Sequence, residues 1–298
     1  LITTAAIAGI DVPTPGSTPD TTVSSGAGYT ASVTWSGALT SDNKLKSNTQ
    51  YTATISLTAT AGYTLTGVAA NFFTVAGANS VTNGANSGVV TAVFPGVVYS
   101  IGDTGPAGGI IFMTPSTRDS GLGGDSYYEA APTGWGDGIA VNPFIIIGST
   151  SFAAEITGTS TTDPQLRWCD NTTSTVGVTG TAIGTGKANT ALIVSGCTLG
   201  AGFTADRYTS TGATPYSDWF LPSKDELNQL CRYARSDAQS INACSSSSGP
   251  LRAGFVADYF GSSSEFGAYL WIQTFAGIGT GGGGKGAIGY TRIVRSFQ

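Results

Sequence analysis

Charge is scarce in this 298-residue chain, at 10% of residues, so the run Lys224-Asp225-Glu226 is the first place to look for an active site. The apolar residues that follow, Leu227, Leu230, Cys231 and Ala234, recur at i, i+3, i+4 and i+7, the stripe of an amphipathic helix. Ser223 and Glu226 then read as a capping box. Hydroxyl and carboxylate each take a backbone N–H that the first turn leaves without a partner, and acids at that end suit the helix dipole. A capped helix packed on a sheet accounts for the charges without a catalytic role.

The stretch "GTAIGTGKA", Gly180 to Ala188, has the outline of a phosphate loop. That motif needs the spacing GxxxxGK followed by Ser or Thr, whereas five residues separate Gly180 from Gly186 and Ala188 follows Lys187. A glycine loop entering a helix is expected instead, with no nucleotide. Asp119, Asp125 and Asp137 gather oxygen ligands around "SGLGG", yet without the regular spacing of a calcium loop, so they read as solvated turn residues. Histidine is absent. That removes the general base of Ser-His-Asp and Cys-His sites and the commonest ligand of catalytic zinc. Neither a metal nor a cofactor is expected, and the chain is read as a non-enzyme.

Cys169, Cys197, Cys231 and Cys244 contain no CxxC pair, so zinc-ribbon and thioredoxin-type chemistry is unsupported. An even count in a chain rich in Thr and Gly points to disulfides and an oxidising compartment. Three pairings are possible. Cys231 with Cys244 and Cys169 with Cys197 close the short loops and are preferred, each stabilising by about 3 kcal/mol on a chain-entropy argument.

A ligand surface is expected near the end of the chain. In "GIGTGGGGKGAIGY", Gly281 to Gly284 read as a mobile hairpin tip carrying Lys285, with Tyr269, Trp271 and Tyr290 nearby and Arg292 and Arg295 adding affinity for anions. Aromatic faces against sugar C–H groups would suit a glycan.

The elements that must position these residues fall into two regions. Residues 1–96 hold no convincing helix. "YTATISLTA" alternates strictly, with Tyr51, Ala53, Ile55, Leu57 and Ala59 on one face, and "YTASVTW" does the same through Tyr29, Ala31, Val33 and Trp35. Further strands are expected over residues 2–10, 63–68, 72–75 and 89–94, with Asn83-Gly84 as a turn signal, which together imply a β-sandwich. The composition changes at Pro95-Gly96. Residues 97–298 bring the cysteines, aromatic anchors, Gly-rich loops and two short helices, from Gly186 and from Lys224, an α+β region with loops dominating. The 43 glycines fit this turn-rich picture.

A net charge of −5 disfavours nucleic acid as a partner. No apolar run is long enough to span a bilayer, and the first residues lack the basic segment of a signal peptide. Export is therefore inferred from composition and cysteines, with the chain reading as processed.

The first region resembles an immunoglobulin-like (Ig-like) bacterial surface repeat, through "ITTAAIAGIDVPTPG", "YTASVTWSGAL", "YTATISLTATAGYTL" and "NFFTVAGANSV". Such modules serve as tandem spacers on exported proteins. The second region resembles the DUF1566 family, the exported C-terminal domain of Legionella collagen-like adhesins, through "IGDTGPAGGIIF", "YYEAAPTGW", "IGTGKANTALIV", "YSDWFLPSKDELNQL", "FGSSSEF", "WIQTF" and "TRIVRSF", in order over the region. The resemblance implies a C-type-lectin-like fold and adhesion or carbohydrate binding. It makes "DWFLP" a scaffold motif, with Trp219 and Leu221 entering the core and Asp218 and Pro222 fixing a turn. The expectation is thus an all-β Ig-like sandwich followed by an α+β C-type-lectin-like domain. The whole would act at the extracellular cell surface as an adhesin for glycan or surface polymer. The alternative is a structural subunit of a filament, sheath or S-layer, partnered by copies of itself.

Overall fold

A computed structural model of the chain describes residues 1–115, 126–136, 163–170, 175–210, 215–237, 242–244, 249–276 and 279–298. The chain forms two compact units, Leu1–Tyr99 with Phe297–Gln298, and Ser100–Ser296.

The first unit contains β1 (Ala6–Ile7), β2 (Tyr29–Ser36), β3 (Tyr51–Ala59), β4 (Thr74–Val75), β5 (Ser80–Asn83) and β6 (Val89–Phe94). An antiparallel sheet of order β2-β3-β6-β5 faces a small parallel pair, β1-β4. The alternation of β3 puts Tyr51, Ala53, Ile55 and Leu57 inside, where they meet Val90, Ala92 and Phe94 of β6 and Phe73. Period 2 thus becomes a one-sided core. Residues 63–68, expected as a strand, instead make a turn, with Val68 N–H on the Leu65 carbonyl and positive φ at Gly62 and Gly67. The pairing strand that the alternation did not mark is β5, whose side chains face a mostly exposed surface.

The second unit contains β7 (Ile110–Met113), β8 (Tyr127–Ala130), β9 (Gln165–Arg167), α1 (Gly186–Gly196), α2 (Ala201–Arg207), α3 (Lys224–Ala234), β10 (Tyr259–Phe266), β11 (Tyr269–Thr274), β12 (Thr280–Gly284), β13 (Ile288–Tyr290) and all but the last residue of β14 (Val294–Phe297). One sheet has the order β12-β11-β10-β13-β9 and another the order β14-β8-β7. Only the β10–β13 pairing is parallel in the larger sheet. Helix α2 comes in addition to the expected two.

"DWFLP" feeds two cores at once. Trp219 and Leu221 pack with Trp135, Trp168 and Ile193, whereas Phe220, between them, packs with Phe112, Leu230, Phe260 and Val294. Extended chain makes this possible, because successive side chains leave on opposite sides. Asp218 does more than shape a turn: its carboxylate takes two hydrogen bonds from Arg295. Disulfides join Cys169 to Cys197 and Cys231 to Cys244, with Cα atoms 5.6 and 5.9 Å apart. The first ties the end of β9 to the end of α1, and the second ties α3 to the segment that follows it.

At the start of α3 the Ser223 hydroxyl accepts from Glu226 N–H, and the Glu226 carboxylate accepts from Ser223 N–H at 2.7 Å. Ser223 also donates to the Ala182 carbonyl at 2.9 Å. Ser223→Ala is therefore expected to lower the unfolding free energy by about 0.5–2 kcal/mol, read from urea melts of the two proteins. Equal melts would remove the cap from the account of α3.

Candidate functional site

The basic residues expected at the ligand surface are turned inward. Lys285, expected on an exposed tip, is 1% exposed. Its ammonium pairs with Glu265 and lies 5.2 Å from the centre of the Trp168 ring. Arg292, expected beside it, is 2% exposed and pairs with Asp163, while donating to the Ala131 and Gly254 carbonyls. Arg295 is wholly buried between Glu129 and Asp218. The placement of all three basic groups in solvent is corrected, and the reason is physical. Each meets a buried carboxylate supplied by a distant part of the chain, and a charge inside protein is tolerated only when so paired.

The tip itself is also corrected. Gly281, Gly282, Gly283 and Gly284 are not a mobile loop but lie in β12, paired in register with Ile272, Trp271, Leu270 and Tyr269 of β11. Lys285 follows in the turn to β13, where Ala287 N–H bonds the Gly284 carbonyl.

The glycine strand borders an exposed aromatic surface. Hairpin β10–β11 turns through Gly267 and Ala268, with the φ of +61° at Gly267 that a type II′ turn asks of its first central residue. That turn sets Phe266 opposite Tyr269. Both rings are about half exposed, at 52% and 54%. Phe266 lies 4.6 Å from the centre of the half-buried Trp271 indole, and the Lys224 ammonium stands 5.6 Å from the same indole. A Cβ on Gly282 would meet Phe266 and Tyr269 at 3.4 Å, so glycine lets the two side chains lie against the backbone. Tyr269 and Trp271 thus share one face, and Lys285, Tyr290 and Arg292 are not part of it. Phe266 had not been singled out in the sequence. The signal for it was local, an aromatic pair bracketing Gly-Ala.

On the opposite face of β11, Leu270 and Ile272 line a cavity of about 170 Å³ together with Leu166, Trp168, Tyr259 and Tyr290. Tyr290 belongs here, separated from Tyr269 and Trp271 by the sheet.

The loop that resembled a phosphate site holds an anion of its own. Glu226, fully buried, accepts from Gly184 N–H at 2.7 Å and from Gly186 N–H as well as from Ser223. One carboxylate therefore occupies the N-terminal ends of both α1 and α3, where a bound phosphate would otherwise sit. A Cβ on Gly186 would fall 2.2 Å from its oxygen. Burial pushes the Glu226 carboxyl up to about 7, against those N–H donors. Glu265 shows the opposite balance: against the cost of burial, the Lys285 ammonium and the N–H groups of Val176 and Val178 hold it below the usual carboxylate range.

Cys169, Cys197 and Asp170 bring potential metal-ligand atoms together, but the sulfurs are joined in a disulfide and Asp170 already accepts from Thr198 and Leu199. Asp119, Asp125 and Asp137 lie outside the described residues. Among the described residues no helix is long and apolar enough to cross a membrane.

Compared with known family models, curated proteins and solved structures, the chain matches none.

Proposed function

We propose that this chain is an exported, non-catalytic cell-surface adhesin, an Ig-like spacer followed by a C-type-lectin-like domain that recognises a glycan or surface polymer. The observation that carries the reading is the pair of half-exposed rings, Phe266 and Tyr269, set beside Trp271 on one face of a sheet edge. Flat aromatic rings stack on the C–H faces of sugars, and Lys224, paired with Asp225, sets an N–H donor at the indole. The sequence stretches that resemble the DUF1566 family and surface repeats favour the same reading, and the two disulfides suit an oxidising, extracellular setting. Binding is preferred to catalysis because the described basic side chains of the second unit that lie deepest are consumed in ion pairs, and the platform itself brings no nucleophile next to a base.

A second reading, a subunit of a filament, sheath or S-layer, draws on β12 and β2. Each is the terminal strand of its sheet, and β12 carries glycine at four of its five positions. A strand edge of that kind can accept another strand.

The test is a glycan array on the full chain beside Phe266→Ala/Tyr269→Ala, with sedimentation velocity on both. Glycan binding by the parent that disappears in the variant supports the adhesin. Regular polymers with no glycan bound by either protein would transfer support to the filament reading.

A further inference from the structure

We infer that the cavity beneath β11 is a binding site for a small neutral aromatic molecule, of the size of a single six-membered ring. The site is separate from the Phe266–Tyr269 platform, on the other face of the sheet.

Size is the first argument. The cavity measures about 170 Å³, and a dry cavity of roughly 150 Å³ lined by Leu, Ile and Phe holds benzene.

Glycine accounts for the space. Gly261, Gly283, Gly284 and Gly289 line the cavity from three strands. A Cβ on Gly289, the register partner of the lining residue Leu166, would find its nearest neighbour at 3.8 Å, so this position leaves a larger residue's room unfilled. Close packing is the rule in protein interiors, and a glycine floor under an open volume departs from it.

Chemistry supplies the class of ligand. Leu166, Leu270, Ile272 and the face of Trp168 form apolar walls. The Trp168 indole N–H is spent on the Ser262 carbonyl at 2.8 Å, and the Lys285 ammonium above that ring is paired with Glu265. No described lining side chain carries a charge, and the remaining polar ones are the hydroxyls of Tyr259, Tyr290 and Thr291. A sugar or an anion would lose its hydration there without enough partners in return, whereas an apolar ring loses nothing. Tyr259 and Ile288, each about half exposed, form the solvent-facing rim.

The experiment is saturation-transfer NMR on the full chain with toluene, with benzoate of the same ring size as the charged comparison. Toluene is expected to give a saturable signal and benzoate none. Gly289→Leu and, as a second and smaller filling variant, Gly289→Val are expected to abolish the toluene signal while keeping the parent's near-UV circular dichroism. Tyr269→Ala is expected to leave it unchanged, which keeps this site distinct from the platform. No saturable toluene signal from the parent would overturn the inference, as would equal binding of benzoate or undiminished toluene binding in a folded filling variant.

Discussion

Replacing Arg295 by methionine is expected to lower the unfolding free energy by about 3–5 kcal/mol, the cost of stranding a buried charge. Arg295 is fully buried, and its guanidinium bonds Glu129 at 2.5 Å and spans both oxygens of Asp218 at 2.8 and 3.1 Å, stacked 4.1 Å from the centre of the Tyr216 ring. The two carboxylates would respond differently to its loss. Asp218 keeps 37% of its side chain in solvent and can rehydrate, whereas Glu129 has none exposed. Among the described residues Glu129 would keep its bonds from Ala107 and Gly109 N–H. Burial already outweighs Arg295 in setting its carboxyl above the usual range, so without the arginine the cost of burying that carboxylate is left largely uncompensated. Arg295→Lys should recover little, since a point ammonium cannot bridge both carboxylates as the planar fork does. Adding Glu129→Gln to Arg295→Met should recover most of the loss. Urea melts at neutral pH decide it: a methionine variant within 1 kcal/mol of the parent would show that the pair contributes nothing to the fold.

How much of this could be read from the sequence depends on how local the cause is. Strand β3 was legible because its alternation is itself the burial pattern, and the start of α3 because Ser223 and Glu226 are three residues apart and each bonds the other's backbone. The preferred cysteine pairs were likewise decided by short closures. The fate of Lys285 was not local. Its partner Glu265 lies 20 residues away, and Glu265 is held by N–H groups 87 to 89 residues distant from it. A glycine run followed by lysine looks the same in sequence whether it forms a tip or a strand. What made it a strand is β11, which supplies a complete set of pairing partners. The same holds for Glu226, whose role in its own helix was plain, while its grip on Gly184 and Gly186 could be seen only once the fold had brought that loop to it.

Stability should be higher at pH 5 than at pH 8, the reverse of ordinary acid sensitivity. Three buried acids set the direction, Glu129 being raised as described above. Burial raises Glu226 from 4.5 to about 7 and, against the nearby Arg292, raises Asp163 from 3.8 to about 6. The second oxygen of Asp163, Oδ2, has no hydrogen-bond partner among the described residues, so Arg292 alone is named against the burial of that carboxylate. A carboxyl whose folded value lies above its unfolded one binds protons more tightly in the native state. Stability then falls as pH rises from the unfolded value through the folded one, and levels off above it. For Glu226 the span from 4.5 to about 7 corresponds to about 3 kcal/mol, and for Asp163 the span from 3.8 to about 6 to about 3 kcal/mol. Glu265 and Asp170 act in the other sense: their folded values lie below the usual range, so their contribution is complete by pH 5 and is lost only in stronger acid. The two windows do not overlap, which leaves a maximum near the usual carboxylate values. Urea midpoints at pH 5, 6, 7 and 8 measure the slope. Glu226→Gln, neutral at every pH, should flatten the part between pH 5 and 7 while leaving the contribution of Asp163. A parent protein as stable at pH 8 as at pH 5 would mean that the N–H groups around Glu226 outweigh its burial, and that this carboxylate stays charged throughout the neutral range.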